Sequence, residues 1–308
     1  MPRLWFWLFH LLWLFPWSFY GGAAAGLNYR PTDRAGRARL MALCWIGVVL
    51  IFFTFSTTQE YYSMPTYPAF ALLLGSAIAT QNKWVRRGAV SVAIIAAVSL
   101  AVIAVILVKV WNLPTPGDIS SALVQHPEMY TLSLGHMGDL TLQSLAYLRL
   151  PLALAGVATL VGVIGTRRPV LAGALMMLIF FHAARLAMVA FDPYLASKPL
   201  ADALSNAPPG KLIEADAYYA FSSVFFYTNR TALLWNGRKD NLEYGSYAPG
   251  APQVFIDDAK LQQLWCSEER YYLLTEDHDV PHLKELVGES MVHVVKESGG
   301  KFLLSNRT

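Results

Sequence analysis

Apolar residues run almost unbroken through six stretches of the chain, near 4–20, 40–58, 65–80, 88–110, 143–165 and 170–191. A helix needs about 20 residues to cross a hydrocarbon core, so the pattern predicts six membrane spans, the third being the shortest. After Lys198 the pattern changes to short runs with alternating periods. Helices are expected over 199–207, 218–227, 257–265 and 281–287, and strands over 211–215, 232–235 and 271–275. A closing hairpin is expected from 291–295 and 301–305 across Ser298-Gly299-Gly300. Alternation of this kind indicates an α/β domain with a partly parallel sheet, and about 110 residues suffice to bury a core. The expected fold is therefore a mainly α-helical polytopic membrane protein over 1–197, followed by a small extracytoplasmic α/β domain over 198–308.

Charge in the connecting segments orients the spans. Arg30, Arg34, Arg37 and Arg39 follow the first run, Lys83, Arg86 and Arg87 the third, and Arg167 and Arg168 the fifth. The second and fourth links hold no Lys or Arg and carry Glu60, Asp118, Glu128 and Asp139 instead. The positive-inside rule makes the first set cytoplasmic and the second outward. An even number of spans then puts both the N-terminus and 198–308 outside, at a cytoplasmic (inner) membrane. A competing reading takes Met1 to Ala25 as a signal peptide. Four Trp, four Phe and Pro16 within that run, and four arginines that would have to cross the membrane, speak against it.

Composition agrees with the pattern. Of 308 residues, 55% are hydrophobic and 15% charged, too apolar for one average soluble domain. The net charge of +3 conceals an asymmetry: residues 1–197 hold 13 Lys and Arg against 6 Asp and Glu, and residues 198–308 hold 11 against 15. Neither part has the basic stripe with interleaved aromatics of a nucleic-acid surface. Cys44 lies in an apolar run and Cys266 beyond all of them, so neither a disulfide nor a metal-ligand spacing is indicated.

Candidate chemistry gathers on the outward side. Gln59-Glu60-Tyr61-Tyr62-Ser63-Met64-Pro65 is a polar and aromatic seam between two apolar runs, followed by Tyr67. Ionisable residues inside spans cost about 2.5–3.5 kcal/mol at the centre on insertion scales, so Lys109, Arg149, His182 and Arg185 each need a reason. One reason is a basic cluster that holds a lipid-linked phosphate. The other is snorkelling of Lys109 and Arg149 to the headgroups. His10 reads as a hydrogen-bonded packing residue. The run Glu276-Asp277-His278-Asp279 reads as a solvated turn before the helix at Pro281, with cation binding as the less favoured alternative. No Gly-rich phosphate loop, HExxH, paired-Cys zinc site or GxSxG elbow is present.

The stretch FSTTQEYYSMPTYPAFALLLG at 55–75 resembles the extracytoplasmic Tyr/Pro segment of polyprenyl-phosphate-sugar-dependent membrane glycosyltransferases, the group of protein O-mannosyltransferases and lipid A aminoarabinose transferases. Met64-Pro65-Thr66-Tyr67-Pro68-Ala69 stands where that group enters its next span with an LPxxPA-like motif. Trp5 through Pro16-Trp17 resembles the preceding aromatic helix, and the stretch from SKPLADAL at 197–204 to KFLLSNR at 301–307 resembles the C-terminal domain of aminoarabinose transferases.

The resemblance implies transfer of a sugar from a polyprenyl-phosphate carrier to an extracytoplasmic lipid, glycan or protein acceptor. It aligns this chain with the C-terminal half of the family pattern. It further implies that the catalytic carboxylate, with any divalent cation of the complete enzyme, comes from a segment or separate chain outside this one. No catalytic residue is assigned here, and no cofactor or metal is evident. Gln59, Tyr61, Tyr62 and Tyr67 would face the sugar and isoprenoid, with Glu60 the one carboxylate among them; Lys109, Arg149, His182 and Arg185 would face the phosphate. The alternative is a non-catalytic transporter, or a lipid-binding or anchoring protein.

Overall fold

The computed structural model describes residues 3–56, 60–124, 135–216 and 218–308. Two compact units divide it: Met1–Thr115 with Leu123–Ala187, and Pro116–Ala122 with Met188–Thr308.

The first unit is helical. Helix α1 (Arg3–Trp13) stops before Pro16, and the chain continues through a 3-10 turn at Trp17–Tyr20 into the short α2 (Gly21–Ala24). Helix α3 (Arg34–Phe55) starts on an Asp33 cap that accepts from Gly36 N, and α4 (Tyr67–Ala79) has Pro68 in its first turn. Helix α5 (Lys83–Val110) starts on Asn82, whose side chain accepts from Trp84 N and Val85 N. Both caps satisfy amides that the first helical turn leaves orphaned. Helices α6 (Leu142–Tyr147), α7 (Arg149–Ile164) and α8 (Pro169–Leu195) complete the set.

Among the described residues four helices are long and apolar enough to cross a membrane: Arg34–Phe55, Lys83–Val110, Arg149–Arg167 with its 3-10 end, and Pro169–Leu195. The chain is an integral membrane protein. The runs near 4–20 and 65–80 become helices of 11 and 13 residues, because Pro16 breaks the first and a 3-10 stretch occupies the start of the other.

Small residues bring these helices together. A Cβ on Gly88 would meet Phe19 O at 2.7 Å, and one on Gly162 would meet Met176 Sδ at 2.7 Å. Backbone approach at glycine is how helices gain packing contacts where lipid supplies no hydrophobic drive. Tyr20, Leu74, Val85, Val92, Ala158 and Met176 form one buried cluster, and Phe6, Ala42, Ile46, Leu50 and Leu73 another. Large apolar side chains such as Val48, Phe55, Val108 and Ile164 point outward, the burial pattern of a bundle solvated by acyl chains.

The second unit takes in the last turns of α8 and then α9 (Lys198–Asn206), β1 (Lys211–Ala215), α10 (Ser222–Thr228), β2 (Ala232–Trp235), α11 (Asp240–Ser246), β3 (Phe255–Ile256), α12 (Asp258–Trp265), β4 (Tyr271–Glu276), α13 (Val280–Val287), β5 (His293–Ser298) and β6 (Lys301–Ser305). The sheet order is β3-β2-β1-β4-β6-β5. The first four strands are parallel and the β5–β6 hairpin is antiparallel. Gly299 and Gly300, at φ 64° and 73°, make the hairpin turn in a region that side chains rarely enter. Leu212 and Leu274 of the sheet pack with Leu200 and Leu204 of α9 and Val224 of α10. On the other face Ile213, Leu273 and Leu304 pack with Leu261 and Trp265 of α12 and Leu283 of α13. The strands and helices expected from the pattern are all present; α11 and β3 were not expected.

Candidate functional site

The polar seam folds as a 3-10 stretch, Glu60–Thr66, containing Pro65. Gln59 lies outside the described residues. Tyr62 packs its ring 4.9 Å from Phe53 of α3 and 5.0 Å edge-on to Tyr61, which is itself exposed. Thr66 is fully buried and donates through Oγ1 to Ser63 O at 2.6 Å, which tightens the turn into α4. Tyr67 follows at the start of that helix.

Beside α4 runs an apolar cavity of about 670 Å3. Trp13, Phe15 and Trp17 of the N-terminal segment, Tyr67 and Phe70 of α4, and Phe181 of α8 line it. Its wall extends along α4 from Tyr67 to Ala79. A long, flexible hydrocarbon with aromatic-friendly π faces fits such a space; a compact polar ligand does not.

The four expected cations have different fates. Arg149 opens α7 and folds back on the end of α5. Its Nε donates to Val110 O at 3.0 Å and its Nη2 to Val110 O at 2.5 Å and to Leu113 O. Val110 is the last residue of α5 and Leu113 lies in the turn that follows, so the guanidinium ties down the end of that helix. Lys109 is exposed in the last turn of α5. His182 is exposed on α8 with Nδ1 2.9 Å from Leu178 O, one turn back on its own helix. Arg185 is exposed on α8, and among the described residues no hydrogen bond or ion pair engages it. It stands four residues beyond Phe181, on the same face of the helix as that cavity-lining ring. Helical side chains lean toward the preceding turn, so Arg185 leans toward Phe181, although it does not itself line the cavity. No described contact joins His182 or Arg185 to Lys109 or Arg149. His10, as expected, packs against Phe6 and Trp13 and bonds Phe6 O at 2.6 Å.

The second unit holds a group of polar side chains of which the pattern singled out only the run 276–279. A cavity of about 200 Å3 at the carboxyl ends of β1, β2 and β4 is lined by Asp216, Asn236, Lys239, His278, Asp279 and His282. It lies where β2 and β4 flank β1, the place where open α/β sheets change direction. Asp258 accepts from Trp235 Nε1 at 2.8 Å and Asn236 Nδ2 at 2.9 Å, and His282 Nε2 lies 3.0 Å away. Bonds from Asn236 and then Trp235 hold its carboxyl below the ordinary range. Lys239 pairs with Asp216. His278 lies 3.5 Å from Asp279 and 3.7 Å from Glu276, so the acidic run is a turn whose charges meet one another. Asp279 does occupy the cap position of α13, but its side chain makes no cap bond. Among the described residues no three His, Cys, Asp or Glu side chains converge as a metal site.

Two further groups are buried. Glu214 on β1 is fully buried with neither carboxylate oxygen hydrogen-bonded, and burial, then the Asp216 charge, push it up to about 8. Lys301 donates to Leu195 O at 3.2 Å and Ala220 O at 3.3 Å, and burial pulls it below the usual amine range. A carboxylate inside the apolar strand KLIEA was the available signal for the first.

This combination of elements defines a class, a polytopic helical membrane protein with a mixed α/β domain at its C-terminal end. Within that class the fold matches two crystal structures of ArnT from Cupriavidus metallidurans, one apo and one bound to undecaprenyl phosphate, with TM-scores of 0.65 and 0.67. Identity is 16% to each, over 98% of this chain and 52% of theirs, so the chain spans about half the length of the structures it matches. No protein-family model matches the sequence, and no curated protein matches it.

Proposed function

We propose that this chain forms the carrier-lipid wall of a membrane glycosyltransferase that moves a sugar from a polyprenyl phosphate to an extracytoplasmic acceptor at the inner membrane. The observation that carries the reading is one helix face: Phe181 lines the apolar cavity, and Arg185 follows one turn later without a partner. An isoprenoid chain lies along the aromatic wall and its phosphate meets the guanidinium. The matching fold in a protein bound to undecaprenyl phosphate supports the same reading.

In the transfer, the bond from the sugar's anomeric carbon to the phosphate oxygen breaks and its electron pair stays on the phosphate. A fixed guanidinium beside that oxygen stabilises the growing charge in a site of low dielectric. The acceptor hydroxyl forms the new bond and gives its proton to a base. That base is supplied by a second membrane segment, in the same chain or another. Tyr62 and Tyr67 flank the sugar end; Arg149 supports the frame at the end of α5, Lys109 adds positive potential, and His182 offers a ring nitrogen.

Native mass spectrometry of the purified protein with undecaprenyl phosphate tests this. Arg185→Ala is expected to weaken binding at least about tenfold, the weight of one charge-assisted contact of about 1.5–3 kcal/mol, with membrane insertion unchanged. Undiminished binding would sink the proposal.

A further inference from the structure

The α/β unit exposes a group of aromatic rings that its own core does not use. Phe226 and Tyr227 of α10 are 80% and 53% exposed, and Tyr219 and Tyr218, just before that helix, 49% and 40%. The rings pair within the group, 5.2 Å apart for Phe226 and Tyr227 and 4.7 Å for Tyr218 and Tyr219. Four neighbouring exposed aromatics on a domain this small mark a surface that is covered by something.

Their position says by what. Helix α8 has 27 residues, about 40 Å at 1.5 Å per residue, and a hydrocarbon core takes up about 20 of them. Arg167 and Arg168 precede the helix and Asp192 lies near its other end, so the hydrocarbon ends shortly before Asp192. The start of α10 is fastened just beyond that point. Ser197 N donates to Ser223 Oγ at 2.9 Å, Ser197 Oγ donates to Ala220 O at 2.8 Å, and Lys301 Nζ bridges Leu195 O and Ala220 O. The other end of the patch is fastened to the same junction, since the Lys198 ammonium lies 5.5 Å over the Tyr227 ring. Both ends of the aromatic group thus sit within a few residues of where a membrane helix leaves the bilayer.

We infer that this face of the α/β unit is a membrane-binding surface, with Phe226 and Tyr227 seated in the lipid headgroup layer. Tyrosine has an apolar body and a polar tip, which suits that layer, and Phe226 supplies the deeper apolar contact. The Lys198 ammonium pairs with Asp202 at 2.8 Å while lying over the Tyr227 ring, and so holds that ring at the junction. The inference needs only that α8 crosses the membrane, and it stands apart from the transferase reading.

Site-directed spin labelling of the whole protein in phosphatidylethanolamine and phosphatidylglycerol vesicles tests it. Cys44 and Cys266 are both exposed, so the labels are placed at Phe226→Cys and Tyr227→Cys in a C44S, C266S background. The reference is Asn206→Cys, at the end of α9 away from Lys198, beside Pro208, whose carbonyl accepts from Tyr272 near the amino end of β4. Oxygen partitions into lipid and a nickel chelate stays in water. The expected result is an oxygen-to-chelate collision ratio several-fold higher at 226 and 227 than at 206. Equal ratios would mean that the patch faces water, and shielding from both reagents would mean that protein covers it; either overturns the inference.

Discussion

Both units of this protein hold a charged side chain without a partner, and they deal with it in opposite ways. Glu214 in the α/β unit is buried between the sheet and its helices, and it becomes neutral by keeping its proton to about pH 8. Arg185 in the helical unit sits in an apolar span, exposed, with no hydrogen bond or ion pair among the described residues. An arginine there has to be met by an acceptor. Arg149 is met by the carbonyls at the end of α5; Arg185 is met by nothing in the described structure. A carboxyl can be stored in a core, whereas an unmatched arginine in a membrane helix points to a ligand or partner.

The strongest way to break the comparison is to make Glu214 ionise. Its folded value of about 8 exceeds the ordinary 4.5, so between those values the folded state binds the extra proton. Stability contributed by the neutral carboxyl is fully present below pH 4.5 and is lost as pH rises through about 8. The loss amounts to roughly 4–5 kcal/mol in the limit of complete ionisation. The urea midpoint of the α/β unit, followed by proteolysis, is expected to fall steadily from about pH 4.5 to about pH 8 and to level off above that. Glu214→Met, which fills similar space without charge, should flatten that fall. An equally steep fall in the variant would show that Glu214 is not its source.

Next in size is the contrast between the two arginines. Arg149→Met removes two bonds to the Val110 carbonyl and one to that of Leu113 and is expected to destabilise the helical unit by about 3 kcal/mol, read as a lowered melting temperature in detergent. Arg185→Met removes no internal bond and should change stability by no more than about 0.5 kcal/mol. If the two variants melt alike, the distinction between a structural and a waiting arginine fails.

Much of this was legible in the chain. Periodicity found the strands at 211–215 and 232–235 because their buried faces are written as apolar runs. It missed β3, only two residues long, and α11, whose DNLEYGS carries one aliphatic side chain and no apolar stripe. In sequence Arg149 differed from Arg185 only by lying nearer a span end, where snorkelling could account for it. The fold separates their roles, because the carbonyls of Val110 and Leu113 that receive Arg149 lie more than thirty positions away. Glu214 was visible as a letter, but its burial depends on α9 and α10 closing over β1.

The smallest effect tests whether the tyrosines belong to the site of Arg185 or to the general aromatic belt of a membrane protein. Tyr67 lines the apolar cavity, while Tyr61 is exposed and touches chiefly the ring of Tyr62. An interfacial belt treats the two alike, since either ring anchors at the headgroups. A carrier wall does not. Removing one aromatic contact with the isoprenoid is worth about 1 kcal/mol, so Tyr67→Ala should weaken undecaprenyl phosphate binding about fivefold. Tyr61→Ala should leave it within twofold. Equal losses in both would return the seam to the belt and leave Arg185 without its aromatic companions, whereas the expected split ties the neutral wall and the unmatched cation to one ligand.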